Sequence, residues 1–399
     1  MAVLQRVLAS QGDVVWVWQD GAVRGLTRAS VPPVQPGDVI ADGARIVAQS
    51  EQADFPCPDG DFARMTERDG LRFRMVAARA VLLGAIRGFF ARRGFLEIDP
   101  PTLVTSPGLE LHLDAVAVQL REGMGGAPVQ RFLATSPEYL MKRLISCGFE
   151  RIYSLGHAFR SGERGQQHNP EFSMLEWYRA GADYRAIVRD ARALVRHCAK
   201  ALKQANLLPV NGFDAEAPWL RLSVQQVVAR HAGFDPGRCD DDALVLRRAQ
   251  AAGLEVQPGD TAADVLVRAL AERVEPRLAG LGAVVIDRWP ASMASLARRF
   301  AKAPHLAERF EIYVHGVEIA NGFSELVDAR EQRSRFEVDL RARQRLGRPI
   351  YPMEERFLAA LAEGCPPAAG VALGVDRLLM LLCDLKDIDD VLPFPFERA

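Results

Sequence analysis

The segment Phe310–Leu326, FEIYVHGVEIANGFSEL, sets glutamates on either side of a His-Gly dipeptide. With His315-Gly316 as a two-residue hairpin turn, Val314 pairs with Val317, Tyr313 with Glu318, Ile312 with Ile319 and Glu311 with Ala320. Period two then gives an apolar side of Ile312, Val314, Val317 and Ile319, and a second side carrying Glu311, Tyr313 and Glu318. There the two carboxylates become diagonal neighbours at roughly 7 to 8 Å, near enough to share a cation that prefers oxygen donors, such as Mg²⁺. A solvated outer face would explain a lone hairpin equally well. The arrival of Asn321 and Glu325 just afterwards favours a site.

Three further stretches hold residue types suited to nucleotide or amine ligands. GVALGVDRLLMLL (370–382) places Gly374 before a helix and Arg377 in its first turn, and helix N-termini and guanidinium groups both favour phosphate. A glycine-hinged core strand followed by a surface arginine has the same pattern. In ATSPEYLMKRL (134–144) Glu138 falls in a helix first turn, where the dipole keeps a carboxylate ionised and fit for an ammonium ligand; simple charge complementation of the helix looks alike. FRSGERGQQHNPEFSMLEWYR (159–179) reads as strand, polar loop, strand. Alternation in the returning strand separates Glu171, Ser173, Leu175 and Trp177 from Phe172, Met174, Glu176 and Tyr178. Phe172 could stack a purine, Arg160 could hold a phosphate, and Glu176 with Tyr178 could line an amine pocket.

The elements that must position these residues can be read from patterning. Residues 13–50 read as short strands broken by Asp-Gly and Pro-Gly turns, which predicts a small β module over about 1–60 and a polar linker near 50–61. Leu71–Arg93 carries apolar residues at helical spacing with Gly94 placed to end the helix. FLEIDPPTLV, LHLDAVAVQL and RIYSLGHAFR read as strands, and SPEYLMKRLISCGF as a helix entered through a serine cap with proline first. About 184–280 is mostly helical, after which strands resume at GAVVIDRWP. Strands, a helical insertion, then strands predict an α+β fold with a mixed, mostly antiparallel sheet flanked by helices.

Composition narrows the functional classes. The 399 residues carry 50 basic and 51 acidic side chains, so the net charge of −1 gives no electrostatic grip on nucleic acid. Six cysteines are scattered without CxxC or CxxH spacing, which argues against a zinc site and a disulfide framework, and for reduced thiols in a cytoplasmic protein. The first residues lack the basic-then-apolar pattern of a signal peptide, and no apolar run approaches the ~20 residues that span a bilayer.

Taken together, these segments resemble the three signature motifs of class II aminoacyl-tRNA synthetases, most closely the lysine branch. GFLEIDPPTL with Pro101 resembles the first motif, which forms the dimer interface in that class; FRSGERGQQHNPEF resembles the second and GVALGVDRLLM the third. Within the branch, TSPEYLMKRLI, HNPEFSMLEWYR, WPASMASLA and VEIANGFSELVDAREQ are similar to the elongation factor P lysine ligases, over about residues 71–399. The resemblance implies a class II catalytic domain that uses ATP and Mg²⁺. It would activate (R)-β-lysine, or lysine less well, as an acyl-adenylate and pass it to a lysine side chain of elongation factor P. Arg160 would hold the α-phosphate and Arg377 the terminal phosphate, with Phe172 and Asn169 at the adenine and Glu163, Ile319 and Gly374 lining the ATP site. Glu311 and Glu318 would carry the metal, Glu318 joining Arg160 and Arg377 in catalysis. Glu138 would bind the amine near the carboxyl group, and Glu325 and Tyr178 the side-chain ammonium. Ser136, Pro137, Glu176, Asn321 and Ala372 would complete the pocket.

Two features set the chain apart from the tRNA enzymes. They carry a longer anticodon-binding domain before the catalytic part, whereas about 70 residues precede it here, with seven arginines against ten acids over 1–72. Ala372 also stands where they have glycine, and its methyl group suits an amine displaced by one carbon. One position departs from the family: the glutamate usual two residues after the second-motif arginine is replaced by Gly162, with Glu163 one place later. A shortened lysine-tRNA ligase and a non-catalytic synthetase-like regulatory subunit are the competing expectations, tRNA being disfavoured as a partner and a homodimer favoured.

Overall fold

A computed structural model describes residues 3–399 apart from 21, 52–54, 58, 122, 210–212 and 295. Part of the expected linker and Ser295 of WPASMASLA therefore lie outside the described residues. The chain divides into two compact units, Met1–Val81 with Asp389–Ala399, and Leu82–Ile388.

In the first unit, β1 (Leu4–Gln11), β2 (Val14–Gln19), β3 (Ala22–Thr27), β4 (Val39–Ala41) and β5 (Arg45–Ala48) form an antiparallel sheet in the order β3-β2-β1-β4-β5. Its inner face buries Val7, Val15, Val17 and Ile40. The central strand β1 precedes the first strand read from the sequence. Helix α1 (Asp61–Ala91) begins ten residues before the expected Leu71 and ends, as expected, ahead of Gly94, whose φ of 70° reverses the chain. In this unit Arg68 reaches both oxygens of Asp390 at 2.7 Å, which ties the C-terminal tail to the helix.

The second unit is built on a large mixed sheet. Its strands are β6 (Leu96–Glu97), β10 (Arg151–Phe159), β11 (Glu171–Ala180), β12 (Leu220–Ser223), β13 (Ala283–Pro290), β15 (Ala303–Val314), β16 (Val317–Ser324) and β17 (Ala368–Gly374), in the order β12-β13-β15-β16-β17-β11-β10-β6. β14 (Arg299–Phe300) pairs with β15. Only the outer pairs β12–β13 and β10–β6 run parallel. A separate small sheet contains β7 (Leu103–Val104), β8 (Ala117–Arg121) and β9 (Pro128–Leu133). The segments FLEIDPPTLV and LHLDAVAVQL thus contribute shorter strands than expected. The insertion supplies α3 (Tyr184–Gln204), α4 (Val224–His231), α5 (Asp242–Ala251), α6 (Ala262–Ala269) and α7 (Glu275–Leu278), but also β12, a strand within a stretch expected to be mostly helical. Ser223 ends that strand and opens α4 through a capping box with Gln226. Helices α2 (Glu138–Ser146), α8 (Ala329–Arg345), α9 (Glu355–Gly364) and α10 (Val375–Leu382) complete the unit.

Sheet register explains how two dissimilar faces coexist. Leu175, Leu373, Ala320 and Ile312 lie side by side across β11, β17, β16 and β15, and each is at least 97% buried. One step along, on the opposite face, runs Glu176, Ala372, Asn321, Glu311. Strand β17 has Gly370, Ala372 and Gly374 on this second face and Val371 and Leu373 on the first, so its small residues form a floor beneath larger neighbours. Tyr178 lies directly over Gly370, and a Cβ added there would overlap the tyrosine ring. Gly370→Ala must therefore push Tyr178 aside, and we expect it to lower stability by about 1–3 kcal/mol, read as a fall in the urea midpoint at constant slope. An unchanged midpoint would show that the ring is not held there.

Candidate active site

The β15–β16 hairpin turns at His315-Gly316 as expected, and Val314 faces Val317 and Tyr313 faces Glu318. Beyond that the sequence-based register fails. Ile312 faces Ala320 rather than Ile319, and Glu311 faces Asn321 rather than Ala320, because Ile319 is an extra residue bulged out of the ladder. The bulge changes the parity of β16: Glu318 and Asn321, three residues apart, now both share the Glu311 face, while Ile319 and Ala320 are both buried in the core. Ile319 can therefore offer a ligand its main chain but not its side chain.

Glu311 is 5% exposed and has a cation and a hydroxyl on its two oxygens: Arg309 donates to Oε1 at 2.5 Å and Tyr313 to Oε2 at 2.7 Å. Burial, opposed by Arg309 and reinforced by Glu318, pushes its pKa up to about 7. Glu318 is more open and stands 3.9 Å from Arg377, whose guanidinium also donates to the Glu318 carbonyl at 2.8 Å and meets His168 Nε2 at 2.6 Å. The Arg377 stem rests over Gly374. Arg160 lies 5.1 Å over the Phe172 ring and 3.7 Å from Glu163, so the displaced glutamate of the second motif does reach the arginine. Asn169, 7% exposed, donates its amide to the Glu171 carbonyl at 2.6 Å. Burial and the charges of Arg377 and Arg160 hold the His168 pKa below its ordinary value, while Glu163 and Glu318 pull the other way, so one imidazole senses all four groups. Among the described residues no three or more His, Cys, Asp or Glu side chains are grouped to hold a metal by themselves.

Across the Gly370–Gly374 floor lies an acid-lined cup. Ser136 precedes α2, accepts from the Glu138 amide at 3.0 Å and donates to Glu176 Oε1 at 2.5 Å, with Pro137 at the helix cap. Tyr178 donates to Glu176 Oε2 at 3.0 Å. Lys142, one turn beyond Glu138, points its ammonium between Glu138 at 2.5 Å and Glu325, and sits 4.8 Å from the Phe323 ring. Burial opposes its charge, but the two glutamates outweigh burial and raise its pKa above the ordinary lysine value. Glu176 and Glu325 are 1% and 3% exposed, and burial together with Glu138 drives each up to about 8, against Lys142.

The structure therefore gathers the acids Glu138, Glu176 and Glu325, the Asn321–Ala372 row, the Glu311–Glu318 pair and the two arginines on one side of one sheet. The sequence reading missed Lys142, Arg309 and His168. Lys142 had a signal, its i+4 spacing from Glu138, which places the two on one helix face. Arg309 had one too, since it alternates with Glu311 and Tyr313.

The family description "tRNA synthetases class II (D, K and N)" matches residues 65–398, and the chain belongs to this class. The elongation factor P–(R)-β-lysine ligase of Proteus mirabilis (strain HI4320) is 41% identical over 322 residues, covering 80% of this chain and 94% of that protein. Those of Edwardsiella ictaluri (strain 93-146) and Avibacterium paragallinarum are 40% and 38% identical, over 80% and 81% of this chain and 94% and 95% of theirs. Within the class, the chain belongs to the elongation factor P–(R)-β-lysine ligase family.

The raised carboxyls have a pH consequence. Between the unfolded value near 4.5 and about 8, native Glu176 and Glu325 hold protons that the unfolded chain has released, so their contribution to stability falls as pH rises through that window. A cationic ligand favours the ionised form. Lysine should therefore bind more tightly at pH 8.5 than at pH 6, with proton release that calorimetry detects in buffers of different ionisation enthalpy. Affinity that is flat or weakens over this range would contradict the assigned protonation.

Proposed function

We propose that this chain is an ATP-dependent aminoacyl ligase that activates (R)-β-lysine, or lysine, as an acyl-adenylate and transfers the acyl group to a lysine side chain of elongation factor P. The observation that carries this reading is the shared sheet face, with an ammonium-binding cup at one end and two guanidiniums at the other. The family assignment supports it independently.

In the first step a carboxylate oxygen of the amino acid attacks the α-phosphorus in line, and the bond to the departing pyrophosphate breaks. Two anions must meet, so the chain's task is charge neutralisation and positioning. Arg160 holds the α-phosphate and Arg377 the terminal phosphate, while Phe172, with Arg160 across its face, and Asn169 frame the adenine. The Arg377 stem packs over Gly374, and Glu163 steadies Arg160. In the second step the target amine attacks the acyl carbon, the bond to AMP breaks and the amine loses a proton. No covalent enzyme intermediate is needed.

Glu311 and Glu318 suit Mg²⁺, which commonly takes one or two protein carboxylates and fills its remaining positions with phosphates and water. They are buried or half-buried like charges that repel each other, and Arg309 and Tyr313 orient Glu311 without neutralising Glu318. A bound Mg²⁺ would polarise the phosphates and offset their charge. In the cup, Glu138 takes the amine near the carboxyl group, with Ser136 and Pro137 shaping its approach. Glu176, Glu325, Tyr178 and Asn321 serve the distal ammonium, and the Ala372 methyl group favours an amine one carbon further from the carboxyl group.

The protein acts as a cytoplasmic homodimer; Leu96 and Leu103, in the segment resembling the first synthetase motif, are 51% and 42% exposed in the isolated chain. No helix among the described residues is long and apolar enough to cross a membrane. Transfer RNA is not the acceptor, consistent with the balanced charge.

Glu318→Gln should cut lysine-dependent pyrophosphate exchange by roughly a hundredfold or more with an unchanged melting temperature; full exchange would remove the metal role. Incubating the protein with ATP, Mg²⁺ and each lysine isomer beside elongation factor P or bulk tRNA tests the acceptor. Mass spectrometry should find the added acyl group on elongation factor P, and its appearance on tRNA instead would favour the tRNA-ligase alternative.

A further inference from the structure

Glu110 belongs to none of the segments that carry the synthetase resemblance, yet its carboxyl stands beside Thr135, the residue that leads into the Ser136-Pro137-Glu138 wall of the cup. Its carboxyl stands over Gly108: a Cβ built on that glycine would come within 2.7 Å of Glu110 Oε2 and 2.8 Å of Thr135 Oγ1. Gly108, with φ of 138°, thus makes room for the acid, and Thr135 leads directly into Ser136-Pro137-Glu138. The loop is rigidly held. The fully buried Arg343 donates to the carbonyls of Glu110 at 2.7 Å, Leu111 at 3.2 Å and Leu113 at 2.8 Å, and the Leu109 amide donates to the Tyr139 hydroxyl at 3.1 Å. Despite this order, Glu110 Oε2 is buried with no hydrogen-bond partner among the described residues.

The charges that act on Glu110 come from both parts of the site. Burial and then Glu138 raise its pKa to about 7, its own backbone amide and Arg160 oppose the rise, and Asp339 of α8 adds to it. The carboxyl therefore feels both the acid assigned to an amine and the arginine assigned to the α-phosphate, from its place beside Thr135. Counting partners sharpens the point. Lys142 shares its one charge between Glu138 and Glu325, and among the described residues neither Glu176 nor Glu110 has a cation within ion-pair distance. A diamine acid brings two ammonium groups.

From this geometry we infer that Glu110 is a substrate-binding residue, the second carboxylate on the amine nearest the reacting carboxyl group, which it shares with Glu138. The inference rests on the ligase reading, since it needs a diamine acid with its carboxyl group at Arg160. The amine donates one proton towards Glu110 Oε2, supplying the partner this oxygen lacks, and its position beside the α-phosphate is thereby fixed from two sides.

The test is Glu110→Gln, which keeps the shape and removes the charge, assayed by pyrophosphate exchange in the full-length protein. The expected result is a rise of roughly tenfold or more in KM for (R)-β-lysine and for lysine, with KM for ATP changed less than about twofold. 6-Aminohexanoate, which lacks the carboxyl-proximal amine, should inhibit the variant and the parent equally. Glu110→Asp, which retains the charge, should keep more affinity for both diamine acids than Glu110→Gln. An unchanged KM for the diamine acids, or an equal weakening of 6-aminohexanoate, would overturn the inference and leave Glu110 a structural residue. Absence of exchange with any lysine isomer in the parent protein would instead sink the ligase reading itself.

Discussion

The constraint on which the rest of this structure depends is the crowding of carboxyl groups, largely removed from water, around a single internal cation. Isolated buried carboxylates are costly, and a protein that keeps several together must pair them, protonate them or leave them for a ligand. Here all three occur. Lys142 bridges Glu138 and Glu325, burial favours the protonated forms of Glu176 and Glu325, and among the described residues the side-chain donors to Glu176 are hydroxyls. Such an arrangement is poor for stability and well suited to a cationic guest.

Holding it in place falls to the sheet. A central strand whose alternate residues are Gly370, Ala372 and Gly374 gives a floor low enough for Tyr178 to lie across it, while the other face of the same strand packs Val371 and Leu373 into the core. The bulge at Ile319 does comparable service for β16. Without it, strict alternation would turn Asn321 into the apolar face and away from Glu311. With it, one hairpin delivers Glu318 near its turn and Asn321 further along to the same side, and the polar row Glu176, Ala372, Asn321, Glu311 runs unbroken across four strands.

These features differ in how far the sequence discloses them. The face sorting of β11 and the turn at His315-Gly316 follow from period two and turn chemistry, and both hold. The bulge does not follow, because nothing local to Ile319-Ala320 distinguishes two consecutive core residues in a ladder from one core and one solvent position; the choice is made by β17 on the far side. Strand β12 escaped for a similar reason: four residues, Leu220–Ser223, carry too little periodicity to be told from loop until β13 supplies their partner. Lys142 was legible in principle from its spacing to Glu138. Glu110 was not, since Gly108, Thr135 and Arg343, the residues that define its position, are spread over more than 200 places in the chain. Local rules thus recovered the elements and the side on which each acid lies, whereas the joint environment of the acids depends on long-range packing.

On the ligase reading, that joint environment also bears on selectivity. A ligand with a single ammonium would leave one cup carboxyl facing no cation, and a buried polar group deprived of its partner is penalised far more heavily than an apolar mismatch of similar size. Discrimination against monoamines would then arise from what the pocket loses when they bind, with no need for a steric gate. The same logic assigns Lys142 a second consequence. By sharing its charge between Glu138 and Glu325 it supplies part of the positive charge these carboxyls need, so the charge the guest must bring depends on a residue that need not touch the guest at all.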